Sequence, residues 1–182
     1  SLSLHLCMSP SLALKLTLLS HTLYRFLAYG VDNTGYETYT IRIIDLSSGE
    51  HLPDVIEGSD GQIAWGNGSI FYITVDTEHR PHELWVHAIP ALNNGEATDD
   101  VMIKREDDSL FWMGMGETQD ERFLVLSLDS SETSEQYLLD LTNTVLADYG
   151  SSFVVVAERE FGVRYECEHH ADVGLLVVTN KD

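Results

Sequence analysis

The chain has 182 residues, 43% of them hydrophobic, and a formal net charge of −20 from 30 acidic and 10 basic residues. Its length suffices for one domain with a core or for a piece of a larger protein. The negative field repels phosphates and excludes nucleic acid as an expected partner, and no window approaches the roughly 18 apolar residues of a membrane span. Because the chain does not begin with Met and ends on the polar Asn180-Lys181-Asp182, we expect a piece of a longer polypeptide.

Strand patterns dominate from the first third of the chain. An apolar run at 23–31 ends in the turn sequence Asp32-Asn33-Thr34-Gly35, and residues 37–45 then alternate with period two, as a half-buried strand does. The segment 11–22 interrupts this first unit in place of a tight turn. We interpret that segment as an insertion or a gene-model error.

The same pattern of short strands returns twice and then begins again. The second round is predicted at 62–65, 69–76, 83–89 and 101–105, and the third at 110–115, 122–129, 135–141 and 153–157. A further round starts with 163–167 and 174–179. Between its first two strands, the second round has Asn67-Gly68, the strongest short signal for a hairpin turn. We therefore interpret Asn67-Gly68-Ser69 as a turn rather than as a glycosylation sequon.

Marker residues give the repeat a measurable period. An aspartate closes the second strand of each round at Asp32, Asp76 and Asp129, with spacings of 44 and 53 residues, and a glutamate opens the third strand at Glu37, Glu83 and Glu135. Four short antiparallel strands at this period are typical of propeller blades. The sequence predicts an all-β fold: a partial β-propeller over 1–182 of about three and a half four-stranded blades, at 1–57, 61–105, 109–158 and 163–180.

Several motifs resemble oligopeptidase B, of the prolyl oligopeptidase family (peptidase S9A). They cover roughly residues 23–180 and comprise 31–42, 52–58, 71–76, Arg80-Pro81, 84–87, Thr133-Ser134-Glu135 and 165–170. The resemblance implies a seven-bladed propeller and a separate α/β-hydrolase domain with a Ser-Asp-His triad, cleavage of short peptides after Lys or Arg, and a propeller that restricts access to that triad. The hydrolase domain would be the partner of this chain.

The chain shows no chemistry of its own. A hydrolase of this type needs a G-x-S-x-G elbow between a strand and a helix, and none occurs. We therefore expect no catalytic residue, no cofactor-binding residue and no metal ligand. Glu166-Cys167-Glu168-His169-His170 contains metal-ligand types, but a strand end followed by a turn is the favoured interpretation. The two cysteines, Cys7 and Cys167, form no C-x-x-C pair, which indicates a reducing compartment and a cytoplasmic protein.

Two further groups of residues have a structural and a functional interpretation. Trp65, Trp85, Phe111 and Trp112 are predicted to fill the core between blades rather than to line a binding funnel. The acidic clusters Asp99-Asp100, Glu106-Asp107-Asp108 and 117–121 are predicted to be solvated loops. Electrostatic steering of basic peptides is the functional alternative for these clusters.

Two other functions remain open. A stand-alone propeller-type interaction module accords with the missing triad and poorly with an incomplete ring. A secreted binding domain is disfavoured by the cysteine usage and by the lack of a clean signal peptide. Three and a half blades would also leave apolar faces uncovered, so we expect the isolated chain to bind hydrophobic dyes or to self-associate.

Overall fold

The computed structural model describes residues 25–95, 98–142 and 149–181, and the backbone alone of 13–18. These residues form thirteen strands, one short 3-10 helix at Pro90–Leu92 and one helical turn, α1, at Tyr149–Ser152. None of the described helices is long and apolar enough to cross a bilayer. The strands are β1 (Ala13–Leu18), β2 (Phe26–Asp32), β3 (Tyr39–Asp45), β4 (Glu50–Gly66), β5 (Ser69–Val75), β6 (Pro81–Ala88), β7 (Val101–Arg105), β8 (Trp112–Glu117), β9 (Phe123–Asp129), β10 (Ser134–Asp140), β11 (Val154–Ala157), β12 (Tyr165–His170) and β13 (Gly174–Thr179).

All strand pairs are antiparallel, and within each sheet every strand pairs with its neighbours in sequence. β1 to β7 form one continuous sheet, because the 17-residue β4 belongs to two blades: its first half pairs with β3 and its second half with β5. The positive φ angles of Gly58 and Gly61 accompany the register shift at this crossing. β8 to β11 form a third four-stranded unit, and β12 and β13 begin a fourth. The prediction of an all-β partial propeller is confirmed.

The innermost strand of the first blade comes from an unexpected part of the chain. β1 lies inside the segment 11–22, for which the sequence predicts an insertion, and its backbone pairs with β2 from Ala13 opposite Asp32 to Leu18 opposite Leu27. In the structure, this stretch takes the position that the innermost strand occupies in the other blades. The rest of the segment lies outside the described residues.

A tight hairpin joins β4 to β5. Asn67 and Gly68 both have positive φ, of 40° and 80°, as the turn with the twist of a two-residue hairpin requires. A Cβ on Gly68 would also lie 3.2 Å from Leu92 and Asn93. The sequence prediction of a turn at Asn67-Gly68 is confirmed.

Two apolar cores lie on opposite faces of the second blade. Because side chains alternate across a strand, Ile70 and Tyr72 of β5 face the first blade, whereas Phe71 and Ile73 face the third. The core between the first and second blades also contains Phe26, Ile41, Ile43, Ile56, Ile63, Trp65 and Ile89. The core between the second and third contains Leu84, Val86, Phe111, Met113, Leu124, Leu126, Leu128, Leu139 and Tyr149.

Three of the four aromatic side chains that were predicted to fill the core lie in or against these two cores. Trp65 and Phe111 are buried, and Trp85 is partly buried against the core of the first two blades. The prediction of a core position is wrong for Trp112, which is 55% exposed. It opens β8, and the burial pattern of that strand puts Met113 rather than Trp112 on the face toward the second blade.

Candidate functional site

Side chains of neighbouring blades complete the hydrogen bonding of the innermost strands. An innermost strand is the edge of its sheet, so its outward N–H groups need partners. Gln62 of β4 accepts from the N–H of Met115 at 2.9 Å, and Glu117 of β8 accepts from the N–H of Trp65 at 3.1 Å. Glu117 therefore ends a strand and accepts a hydrogen bond from the backbone of the preceding blade, and its prediction as part of a solvated loop is wrong.

A groove of ≈ 410 Å³ opens where the innermost strands of three blades meet. We call it the inner groove; its walls are Gln62, Gly114, Met115, Gly116, Glu117, Val125, Ser127, Asp129, Gln136, Arg164, Glu166, Cys167 and Glu168. Polar residues line it because β9 turns Leu124, Leu126 and Leu128 toward the second blade and its alternate residues toward the fourth. The third and fourth blades thus meet across a polar groove, unlike the apolar cores of the earlier pairs.

Acidic groups dominate the inner groove. Burial raises the pKa of Asp129, with Arg164 opposing and Glu166 adding to that effect. The corresponding aspartates of the first two blades differ from Asp129 because their side chains accept hydrogen bonds within their own turns. Asp32 accepts from the N–H groups of Thr34, Gly35 and Glu37. Asp76 accepts from the N–H groups of Glu78 and Arg80.

In the third blade, a serine replaces the aspartate in closing the turn between the second and third strands. The N–H of Thr133 donates to Ser130 Oγ, which in turn donates to the carbonyl of Thr133. The Asp129 side chain therefore has no role in its turn and lines the inner groove instead.

The segment 166–170 is a strand followed by a turn, as predicted. Glu168 accepts from the N–H of Gln119, and the ring of His169 bonds to Asp120 at 2.6 Å. Burial raises the pKa of the Cys167 thiol, which disfavours the thiolate that metal binding and nucleophilic attack require. Among the residues that the structure describes, no three His, Cys, Asp or Glu side chains gather in a metal-binding arrangement.

Two guanidinium groups, one buried and one partly buried, organise the end of the blades where the chain passes from one blade to the next. Arg80 donates to the carbonyls of Glu106 at 3.2 Å, Asp108 at 3.1 Å and Phe111 at 2.9 Å. Arg159 pairs with Glu106 and with Glu135 at 3.0 Å, and its guanidinium lies 3.8 Å from the centre of the Phe111 ring. Glu106 is buried, so the prediction of a solvated loop is wrong for this residue. The local sequence could not reveal its partner, because Arg159 lies 53 residues away.

A second polar cluster joins the first blade to the second. His87 of β6 bonds through Nδ1 to Asp100 at 2.7 Å and through Nε2 to Asp54 at 3.0 Å, and the Tyr72 hydroxyl donates to Asp100 at 2.6 Å. Asp100 is therefore another acidic residue that is paired rather than part of a solvated loop. Its partners Tyr72 and His87 lie on strands that precede it by 28 and 13 residues, so its local sequence gave no sign of them.

Comparison with known proteins agrees with this architecture. Residues 21–182 match the model of the prolyl oligopeptidase N-terminal β-propeller domain. The chain is 33% identical over 161 residues to the dipeptidyl aminopeptidase BI of Pseudoxanthomonas mexicana, which covers 87% of this chain and 21% of that protein. This chain therefore spans about a fifth of the length of that relative.

Solved structures give the same result. Oligopeptidase B from Leishmania major superposes with a TM-score of 0.80 at 29% identity, covering 92% of this chain and 23% of that one. The closed form of oligopeptidase B from Trypanosoma brucei with covalently bound antipain gives 0.78 at 34% identity, with coverages of 94% and 23%. The chain belongs to the prolyl oligopeptidase family and forms part of its N-terminal β-propeller domain.

Proposed function

We propose that this chain is a non-catalytic part of the propeller of a serine oligopeptidase. In this proposal one face of the propeller packs against an α/β-hydrolase domain encoded elsewhere in the full-length polypeptide, and the propeller restricts which peptides reach the triad of that domain. The observation that supports the proposal is a set of exposed apolar side chains on the loops at one end of the blades.

Strand order decides which loops share that end. Because the strands of a blade alternate in direction, the turns between second and third strands lie at the same end as the connections to the next blade. We call this end the loop face; it comprises 33–38, 76–80 and 130–133 together with 57–61, 106–111 and 158–164. A blade of four strands begins and ends on the same face, so a segment joined to either end of a propeller emerges here.

The loop face exposes large apolar side chains. Tyr36 and Leu110 are each 72% exposed, Phe161 is 85% exposed, and Trp112 stands where the connection 106–111 enters β8. Within the described residues, the opposite end exposes smaller apolar side chains, namely Val173 in a turn and Val101 and Val154 at the starts of β7 and β11. Exposed apolar groups gathered in this way mark interaction surfaces, and the bonds of Arg80 and Arg159 fix the loops in advance, which lowers the entropic cost of docking.

The first test is the size of the natural product. An immunoblot of the source cells with an antibody against residues 36–45 is expected to show a band several times heavier than the 20.4 kDa of this chain. A band at 20.4 kDa alone would contradict the proposal and favour the stand-alone interaction module.

The second test perturbs the loop face in the full-length peptidase. Changing Leu110 and Phe161 to serine is expected to weaken domain packing, so that hydrogen exchange rises in the loop face and long peptides are cleaved relatively faster than short ones. Val173→Ser, at the opposite end, is the matched control and should change neither quantity. Unchanged exchange in the double variant would argue against docking at this face.

The inner groove supports a second element of the proposal, the selection of basic peptides. Glu117, Asp129, Glu166 and Glu168 outnumber Arg164 on its walls, and a groove lined by one sign of charge concentrates ligands of the opposite sign. In the full-length peptidase, Asp129→Asn with Glu166→Gln should lower kcat/KM for lysine and arginine peptides at low salt and have little effect at high salt. Glu50→Gln with Asp99→Asn is the control, because both residues are exposed and lie outside the inner groove and the loop face. Equal losses of kcat/KM in the two double variants would count against the groove.

We also propose a cytoplasmic location. The support is the use of cysteine: Cys167 is free in the described structure, and free thiols are typical of reducing compartments. Mass spectrometry of the natural protein should find Asn67 without a glycan; a glycosylated Asn67 would indicate secretion.

A further inference from the structure

A histidine lies between two carboxylates at the contact between the first two blades. Asp54 belongs to the outer half of β4, in the first blade, and its side chain is only 5% exposed. His87 and Asp100 belong to the second blade, with Asp100 just before β7. The imidazole bonds to Asp100 through Nδ1 and to Asp54 through Nε2, so one ring bridges the two blades.

The number of donors sets the charge of this ring. A neutral imidazole has one N–H donor and one acceptor nitrogen, whereas an imidazolium has two donors. Both carboxylates can be satisfied only by the protonated ring. If the ring loses its proton, the lone pair of one nitrogen faces a carboxylate at 2.7 or 3.0 Å, which is repulsive.

The surroundings favour the protonated form. The hydrogen bond to Asp100 raises the pKa of His87, partial burial opposes this, and the hydrogen bond to Asp54 raises it further. On the far side of Asp100, the Tyr72 hydroxyl donates to the second carboxylate oxygen, and the charge of Glu83 acts on Tyr72. Glu83 is itself paired with Arg105 at 3.3 Å and lies 3.7 Å from the ring of His82.

We propose that Asp54, His87 and Asp100 form a proton-dependent clip that holds the first blade against the second and loosens when His87 loses its proton. Because the folded-state pKa lies above the ordinary value of 6.5, the stabilisation is fully present below pH 6.5 and is lost as the pH rises through the folded-state pKa. The clip therefore holds below pH 6.5, while both carboxylates remain ionised, and releases as the pH rises through the folded-state pKa of His87.

The test follows one imidazole and two tryptophan reporters of this chain within the full-length peptidase. Of the three tryptophans, Trp65 and Trp85 pack in the core beside the clip and Trp112 lies outside it. In a sample labelled with ¹⁵N-histidine and 5-fluorotryptophan, both His87 nitrogens should be protonated below pH 6.5. The fluorine signals of Trp65 and Trp85 should shift in step with the loss of that proton, and the signal of Trp112 should not.

Charge-removing variants separate the clip from a passive contact. Asp54→Asn keeps a hydrogen-bond acceptor but removes the charge, so the His87 midpoint should move to lower pH, and it should fall further in Asp54→Asn with Asp100→Asn. Each pH unit by which the His87 midpoint falls corresponds to a roughly tenfold weaker coupling between protonation of His87 and contact of the two blades. The control is His169→Gln, because the ring of His169 bonds to a single carboxylate, Asp120. This variant should leave the His87 midpoint unchanged.

Two results would overturn the clip, and both come from the unmodified chain. One is a His87 midpoint at or below 6.5. The other is a titration of His87 that leaves the fluorine signals of Trp65 and Trp85 unmoved, since the proton would then have no effect on the contact between the blades.

Discussion

The contacts on the two faces of the second blade are built alike in their apolar cores and differently in their polar links. Toward the first blade, the link is the imidazole of His87 between Asp54 and Asp100. Toward the third blade, the links are the guanidinium groups of Arg80 and Arg159. Guanidinium groups stay charged at all pH values used for proteins, whereas imidazole titrates near neutrality. The proposed clip therefore predicts that the contact with the first blade depends on pH and that the contact with the third blade does not.

The largest effect is expected from removing the guanidinium of Arg80. Arg80→Met leaves Asp76 without its cationic partner and removes the guanidinium donor from the carbonyls of Glu106 and Phe111. Breaking such a buried pair costs about 3–5 kcal/mol of unfolding free energy. Denaturant unfolding followed by circular dichroism at several pH values would measure this loss, which should be the same at about pH 6 and about pH 9.

An exposed arginine provides the control for that prediction. Arg122 pairs with Asp140 at 3.2 Å, and the Arg122 side chain is 46% exposed. Arg122→Met should therefore cost only about 0–1 kcal/mol, the range of surface ion pairs. Equal losses for Arg80→Met and Arg122→Met would show that the bonds of Arg80 do not hold the second and third blades together.

An intermediate effect is expected at the glycine that ends β4. A Cβ on Gly66 would lie 2.8 Å from the Phe71 ring and 2.9 Å from Leu141, so Gly66→Ala overpacks the core shared with the third blade and should cost about 1–3 kcal/mol. Gly114→Ala is the matched control, since its Cβ would meet only Gln62 at 3.7 Å, and it should change stability by less than about 0.5 kcal/mol. Thermal unfolding of both variants would test the difference.

The last comparison concerns one hydroxyl on each face of the second blade, and the smaller of its two effects is expected at Tyr149. Tyr72 donates to the Asp100 carboxylate at 2.6 Å, and Tyr149 donates to the carbonyl of Gly66 at 3.1 Å. Because a bond to a charged group is the stronger, Tyr72→Phe should cost about 1.5–3 kcal/mol and Tyr149→Phe about 0.5–1.5 kcal/mol. Chemical denaturation at neutral pH would measure the loss of unfolding free energy in each variant. A larger loss in Tyr149→Phe than in Tyr72→Phe would contradict the strengths assigned to the two hydrogen bonds.

The strands and turns were accessible from the sequence because their signals are local. Period-two alternation in β3, β6 and β9 reflects one buried face per strand, and Asn67-Gly68 satisfies the φ angles of its turn by residue type alone. The crossing of β4 between two blades was not foreseen. The sequence prediction treats 52–58 and 62–65 separately, and their continuity depends on pairing with β3 on one side and β5 on the other.

The sequence by itself determined the all-β fold, the repeat of four strands and most turns, since each follows from neighbouring residues. Only the tertiary structure decided what the acidic residues do. Glu106, Asp100 and Glu117 have the same local appearance as solvated acids, and their partners Arg159, His87 and Trp65 lie between 13 and 53 residues away in sequence. The placement of Asp129 in the inner groove was likewise decided by the serine that closes its turn. Charge pairing depends on the distance between side chains in space. The stacking of the blades sets that distance, and a local sequence pattern does not contain it.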